Sequence, residues 1–145
     1  MKIGITSDHH GIEKRKEIKN YLESKGYTVI DYGPNDITSV DYPEYAFKVS
    51  KAVVSGEVDK AILMCGTGIG MSIAANKVNG IRCARVVDKN DAYYAALHNH
   101  ANEIAFSANL DIQTICEIVD TYLNTLPSDE ERHVRRVNMI DKYNG

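Results

Sequence analysis

Short apolar runs alternate with longer amphipathic stretches along the whole chain. The apolar runs predict five β-strands, at residues 2–6, 28–32, 60–64, 81–87 and 103–107. The stretches between and after them predict helices at 12–25, 43–55, 71–79, 89–99, 112–126 and 129–143. Strands that alternate with helices run parallel through right-handed crossovers. The pattern therefore predicts an α/β fold, a Rossmann-like open parallel five-stranded sheet with helices on both faces and an extra C-terminal helix.

Local signals mark the ends of two of these helices. Gly26 is expected to stop the first helix as a C-terminal cap. Residues 128–131, Ser-Asp-Glu-Glu, form a capping-box pattern directly after a proline, so the last helix is expected to start afresh there. Val134, Val137 and Ile140 give that helix a predicted apolar stripe.

Length, charge and cysteine content narrow the class of protein. A chain of 145 residues with 43% hydrophobic content fits a single globular domain over 1–145. The 17 basic and 20 acidic residues are mixed along the chain and give a net charge of -3, so no basic stripe for a nucleic acid is expected. The apolar start, residues 3–6, is too short for a signal or a membrane span, which predicts a cytoplasmic protein with no membrane partner. The three cysteines are widely spaced and are expected to be reduced.

Open parallel sheets bind their ligands beyond the carboxyl ends of the strands. This rule selects the loops after strands one, three and four, namely 8–11, 65–70 and the region leading to His98. We therefore expect His98, at the end of the fourth helix, to lie at the same edge of the sheet as the other two loops.

The loop after the third strand combines a cysteine thiol with several glycines. Cys65 is followed by Gly66, Gly68 and Gly70, and a helix is predicted to begin at Met71. Main-chain amides at such a helix start favour an anion and would stabilise a thiolate, which makes Cys65 a candidate base or nucleophile. The structural alternative is a small buried cysteine beside a tight turn.

Three chemistries compete for this loop. A nucleotide P-loop requires a lysine before Ser72, and the first lysine is Lys77. A cysteine phosphatase would need an arginine six residues after Cys65, where Met71 stands. A proton-transfer enzyme needs a thiolate near an acidic C–H and amide donors for the enediolate oxygen, and residues 65–70 supply both.

The loop after the first strand, residues 8–11, reads Asp-His-His-Gly. It lacks a dinucleotide glycine fingerprint, so no nicotinamide cofactor is expected. Adjacent histidines usually point apart, and no matching carboxylate–histidine spacing occurs elsewhere, so no metal site is predicted. The structural alternative for His9 and His10 is a polar loop in which Asp8 caps the first helix.

Arg132 and Arg136 lie one helical turn apart and so share a helix face. They could grip a phosphate together. The alternative is a solvated basic face, since Glu130 and Glu131 stand directly beside them.

Taken together, these motifs resemble the ribose-5-phosphate isomerase B family and its allose- and galactose-6-phosphate isomerase relatives. The resemblance runs from end to end and rests on SDHHG (7–11), SVDYP (39–43), CGTGIGMSIAANK (65–77), HNHAN (98–102) and RHVRR (132–136). It implies an aldose–ketose isomerase that acts on a phosphorylated sugar without metal or other cofactor. It also implies a homodimer or a dimer of dimers with the sites at the subunit interface.

The same resemblance implies catalytic roles. Cys65 is the base that moves a proton between C1 and C2, Thr67 lies beside it, and the amides of the glycine loop hold the enediolate. Some relatives use instead a glutamate at the position of Met71. His98 opens the sugar ring with the help of Asp8.

Further residues are implied as substrate contacts. His9, Arg132 and Arg136 would bind the phosphate, for which arginine has a bidentate grip. Tyr42 and Asn99 would line the sugar.

The chain departs from the family pattern in three ways. Asn109 stands where many relatives carry an arginine that touches the phosphate, Glu130 and Glu131 replace a glycine pair, and His100 replaces an aspartate. The negative charges should weaken phosphate binding unless both side chains turn outward. The expected reaction is the interconversion of ribose 5-phosphate and ribulose 5-phosphate. The alternatives are another sugar phosphate (allose or galactose 6-phosphate, or a tetrose phosphate) and a binding module without turnover.

Overall fold

The computed structural model describes residues 1–36, 38 and 40–143. The strands are Lys2–Ser7 (β1), Thr28–Asp31 (β2), Lys60–Cys65 (β3), Cys83–Arg85 (β4) and Glu103–Ser107 (β5). The helices are Ile12–Ser24 (α1), Tyr42–Val54 (α2), Ile69–Ala75 (α3), Lys89–Leu97 (α4), Ile112–Asn124 (α5) and Glu131–Lys142 (α6). Ser39, the first residue of the 39–43 motif, lies outside the described residues.

The five strands form one parallel sheet in the order β2-β1-β3-β5-β4, which confirms the predicted α/β architecture. After β1 the chain builds β2 on one side, and it then crosses to build β3 on the other side. The connections that leave the carboxyl ends of β1 and β3 therefore diverge and open a crevice between them. Asp8 follows β1 and Cys65 ends β3, so both border this crevice.

Apolar side chains alternate between the two faces of the sheet and build two core clusters. On one face Ile62, Met64 and Phe106 pack beneath α1, α4 and α5. On the other face Leu63 and Cys65 pack against α2 and α3. Because side chains alternate along a strand, Cys65 belongs to the layer that carries α2 and α3. Within the described residues no helix combines the length and the apolar character that crossing a membrane requires.

Several predicted element ends are confirmed and others differ. Gly26 follows α1 with a φ of 95°, as expected for a C-terminal cap. The edge strand β4 covers only 83–85 of the predicted 81–87. Helix α3 begins two residues before the predicted start. It ends at Ala75, because the side chain of the next residue, Asn76, forms hydrogen bonds with both the N–H and the carbonyl of Cys83 in β4, each at 2.8 Å.

The predictions for the last helix were wrong in two respects. Helix α6 starts at Glu131, two residues after the capping box implied, and the Ser128 hydroxyl accepts from the Glu130 amide rather than from an amide of the helix. The buried face carries His133 and Val137, whereas Ile140 of the predicted stripe is 52% exposed. The reason is tertiary, since this face packs the His133 ring against the end of α4.

Candidate active site

Cys65 borders an open cleft at the carboxyl edge of the sheet. The cleft has a volume of about 490 Å³ and is lined by Asp8, His10, Tyr42, Cys65, Gly66, Thr67, Ile69, Gly70 and Ile73. Six of the residues predicted for the site therefore meet here. Cys65 itself is 5% exposed, so its side chain is shielded from bulk water yet faces the cleft.

The sulfur of Cys65 is held by the glycine loop. The Gly68 amide donates to Sγ at 3.1 Å. Gly68 has a φ of 78°, and a Cβ there would lie 2.7 Å from the Phe106 Cα, so only glycine fits. The amide of Gly68, predicted as a substrate contact, is thus bound to the thiol in this structure.

Neighbouring carbonyls of the loop are fixed on the side of β4 and β5. The Gly66 carbonyl accepts from the Ser107 hydroxyl at 2.7 Å and from the Asn109 amide at 3.4 Å. The Thr67 carbonyl accepts from Arg85 Nε at 3.1 Å. In a trans peptide the C=O and the following N–H point in opposite directions. The Thr67 N–H therefore points away from β5, and it meets no acceptor in the part of the chain that the structure describes.

Two side chains shape the remainder of the loop. The Thr67 hydroxyl accepts from the Ile69 amide at 3.1 Å and so braces the start of α3. A Cβ on Gly70 would lie 2.6 Å from the Tyr42 ring, so the missing side chain lets Tyr42 pack on the loop. Tyr42 is the first residue of α2 and is 37% exposed, which leaves part of its ring in the cleft.

Asp8 organises the turn after β1. One carboxylate oxygen accepts from the amides of His10 and Gly11, at 2.9 and 3.2 Å, so Asp8 caps the short 3-10 turn His9–Gly11 that precedes α1, whereas the N-cap of α1 itself is Gly11. The other oxygen lies 3.3 Å from His10 Nδ1. His9 and His10 do not point apart as the sequence suggested, since their ring centroids are 4.0 Å apart. The three residues place one potential metal-ligand atom each within 4.8 Å of one another, although both Asp8 oxygens already have partners.

The expectation that His98 shares an edge with Cys65 was wrong. Helix α4 runs back along the sheet, so its last turn lies at the amino edge, where the Asn102 carbonyl accepts from the Ala61 amide. From Ala61 to Cys65 the strand rises by about 13 Å. His98 and Asn99 therefore stand at one end of the sheet and the thiol cleft at the other.

His98 belongs to a second, basic group that α6 completes. Its ring stacks on that of His133, with centroids 4.1 Å apart and planes 9° apart. Burial lowers the pKa of His133, and the nearby His98, Arg132 and Arg136 lower it further. These four side chains thus form a basic cluster. Both arginines are exposed, yet they stand beside the histidine pair.

His10 and His133 were not predicted as site residues. His10 lines the cleft, and its only signal in the sequence is its place after Asp8 and His9. His133 lies between Arg132 and the apolar positions of α6, where an amphipathic count assigns it no role. Asn99 lines a separate cavity of about 250 Å³ with Arg82, Cys83 and Ile140, away from the thiol cleft.

Comparison with known proteins identifies the family of the chain. Residues 3–140 match the family model described as Ribose/Galactose Isomerase. The chain belongs to this ribose/galactose isomerase family.

Individual members of the family support the assignment. A putative sugar phosphate isomerase of Bacillus subtilis is 43% identical over 99% of this chain and 97% of its own length. The galactose-6-phosphate isomerase subunit LacB of Clostridium acetobutylicum is 39% identical over 98% of this chain and 83% of its own. The structure of Clostridium thermocellum ribose-5-phosphate isomerase B superposes with a TM-score of 0.94 at 45% identity, covering 98% of this chain and 96% of that one. As a member of this family, the chain is a sugar-phosphate isomerase.

Proposed function

We propose that this isomerase interconverts ribose 5-phosphate and ribulose 5-phosphate by proton transfer through an enediolate. The observation that carries the proposal is the Cys65 sulfur, held by the Gly68 amide at 3.1 Å, beside the unpaired Thr67 amide in one cleft. A base and a donor for an oxyanion therefore adjoin the same space. The names of relatives favour a phosphorylated aldose, and the galactose-6-phosphate relative makes a six-carbon sugar the near alternative.

The first step is opening of the sugar ring. His98 takes the proton of the anomeric hydroxyl and returns a proton to the ring oxygen, so that the C1–ring oxygen bond breaks and the C1 carbonyl forms. Asp8, at the far side of the sugar, orients the hydroxyl groups. Tyr42 and Asn99 flank the open chain. His9, Arg132 and Arg136 hold the phosphate group.

The second step transfers the proton. The thiolate of Cys65 removes the proton from C2, and the electron pair forms the C1–C2 double bond of an enediolate. The negative charge that develops on O1 is met by the Thr67 amide and its neighbours in the loop. The proton is then delivered to C1 while the O2 proton passes to O1, which leaves the C2 ketone. Atoms and charge balance without an oxidant or reductant.

The two halves of the site come together if the protein is a homodimer. Within one protomer the thiol cleft and the basic cluster stand at opposite ends of β3, about 13 Å apart along the strand. Exposed apolar side chains flank both halves. Ile69 and Ile73 beside the cleft are 48% and 64% exposed, and Tyr94, whose ring centroid lies 5.0 Å from that of His98, is 51% exposed. A two-fold interface that buries these surfaces would bring the cleft of each protomer to the cluster of its partner.

A complementation experiment tests both the site and the interface. Cys65→Ser and His98→Asn are prepared separately and should each be inactive, because each has lost one half of every site. After equal amounts are dissociated and reassociated together, activity should return to about a quarter of the wild-type value, since about half the dimers are mixed and each mixed dimer holds one intact site. Mixtures that stay inactive would contradict a shared site.

The substrate is tested in parallel with the wild-type enzyme. Ketose formation is followed for ribose 5-phosphate, allose 6-phosphate, galactose 6-phosphate and a tetrose phosphate. The proposal requires the highest kcat/KM for ribose 5-phosphate. A clear preference for a six-carbon substrate would replace the five-carbon assignment while leaving the proton-transfer mechanism in place.

A further inference from the structure

Two adjacent glutamates at the start of α6 point in different directions. Glu131 forms an ion pair with Arg135 on the outer face of the helix, with Oε2 and Nη1 2.5 Å apart. Glu130 turns to the other side, where its Oε2 lies 3.6 Å from Arg132 Nη2 and 3.3 Å from His133 Nε2. The sequence left open whether these charges turn outward, and only one of them does.

The carboxylate of Glu130 is the acidic group that meets the basic cluster in the described part of the chain. Arg136 has no ion pair there, and His133 Nε2 has no hydrogen bond of good geometry. Both contacts of Glu130 are longer than a normal hydrogen bond, which indicates a loose ionic association. The cluster therefore keeps capacity for a stronger anion.

Glu130 can also leave this position at low cost. Its side chain is 60% exposed, and the side chain of Arg132 is 58% exposed. Exposed ion pairs of this kind contribute little because water and salt screen them and both side chains lose rotational freedom. A phosphate dianion carries more charge than a carboxylate and offers more acceptor oxygens, so it would outcompete the carboxylate for the same guanidinium.

We propose that the Glu130 carboxylate competes with the substrate phosphate for Arg132 and His133 and is displaced when the substrate binds. This inference rests on the proposed function, in which Arg132 and Arg136 bind the substrate phosphate. The carboxylate weakens the binding of every anion at the cluster. A sugar phosphate and inorganic phosphate share this penalty, because both must displace the same carboxylate.

The test compares Glu130→Gln with Glu131→Gln in the full-length enzyme. Both changes remove one negative charge from the same helical turn, but only the first removes the carboxylate that faces Arg132. In Glu130→Gln the KM for ribose 5-phosphate and the inhibition constant of inorganic phosphate should both fall, by about two- to five-fold, the range expected for an exposed ion pair. In Glu131→Gln both constants should stay at the wild-type values.

A third variant and a direct binding measurement sharpen the outcome. Glu130→Asp keeps the charge and draws it back by about one methylene, so its constants should lie between those of the wild type and Glu130→Gln. Calorimetric titration with inorganic phosphate reports binding without turnover. Unchanged phosphate affinity in Glu130→Gln, or an equal gain in Glu131→Gln, would overturn the inference. Wild-type protein that binds phosphate but never forms a ketose would instead overturn the proposed function and leave the inference about Glu130 standing.

Discussion

A buried carboxyl group in the sheet makes the stability of the fold depend on pH. Glu103 begins β5 and is wholly buried on the face that carries α2. Its Oε2 accepts from the Ser50 hydroxyl at 3.0 Å, while Oε1 has no partner among the described residues. Burial raises the pKa of Glu103 from 4.5 to about 8, and the hydrogen bond from Ser50 opposes only part of that rise. The native state therefore holds this proton far more tightly than the unfolded chain does.

The sign of the effect follows from linkage. Because the folded pKa lies above the unfolded value, the group costs nothing below about pH 4.5 and destabilises the fold as the pH rises toward 8. Each pH unit in that window lowers the free energy of unfolding by about 1.4 kcal/mol. At pH 7 the accumulated loss is on the order of 3 kcal/mol, which is a large part of the stability of an ordinary domain.

The perturbation is Glu103→Gln, which keeps the shape and an acceptor for Ser50 but cannot ionise. Urea unfolding of wild type and variant, followed by circular dichroism at one fixed protomer concentration, is measured from pH 5 to pH 8. The advantage of the variant in free energy of unfolding should grow steadily with pH, by about 1.4 kcal/mol per unit. Taking the difference removes the other carboxylates, and Glu23→Gln at an exposed helix position serves as the control.

Parallel pH profiles of the two proteins would refute the reasoning. Two other titratable groups lie near Glu103, and their titration must be distinguished from that of Glu103. Burial raises the pKa of the Cys83 thiol, to which ionised Glu103 adds, and burial lowers the pKa of Lys60 on the adjacent strand. Neither group changes charge on its own between pH 5 and pH 7 in an ordinary setting. A rise in the difference that is already present between pH 5 and pH 7 therefore belongs to Glu103.

Three further predictions concern the thiol cleft and the basic cluster. Cys65→Ser should lower kcat for ketose formation by about 100-fold or more with little change in KM, while Cys116→Ser should match the wild type. Arg136→Ala should raise KM about ten-fold, chiefly through the lost phosphate contact. An unchanged KM would mean that this arginine does not bind the substrate phosphate. Gly68→Ala, with a φ of 78° and a Cβ 2.7 Å from the backbone of β5, should lower the free energy of unfolding by about 2 kcal/mol or more. Gly66→Ala, whose Cβ would meet no atom within 4 Å, should be much milder in the same denaturation assay.

The sequence was most informative where the relevant physics is local. The apolar runs predicted the parallel sheet because the central strands β1, β3 and β5 are buried on both faces and carry their own signal, whereas the edge strands β2 and β4 are only partly buried. The glycine loop after Cys65 was predicted in the same way, since its strand, its turn and the start of its helix are contiguous. The capping role of Asp8 depends on amides two and three residues away, which a linear pattern also contains.

The errors arose where one element packs on another. His98 was placed at the wrong edge because the ligand-binding rule describes the start of a helix that follows a strand, and α4 carries its last turn back to the opposite edge. The buried face of α6 depends on the stack of His98 and His133, which hydrophobic periodicity cannot detect because histidine is not counted as apolar. The divergence of Glu130 and Glu131 follows from the angle between successive helical positions and from partners on other elements. The sequence, in which two glutamates stand side by side, does not indicate this difference.

Because the thiol cleft and the basic cluster are far apart within one chain, the specific activity of the enzyme should depend on its concentration. In the proposed dimer each active site combines residues of both chains, so a monomer would contain no complete site and would be inactive. Specific activity should then decline once the enzyme is diluted below its dissociation constant and recover on concentration. A subunit that has lost both its thiol cleft and its basic cluster would inactivate both sites of a dimer. Such a defect would therefore be dominant over an intact partner.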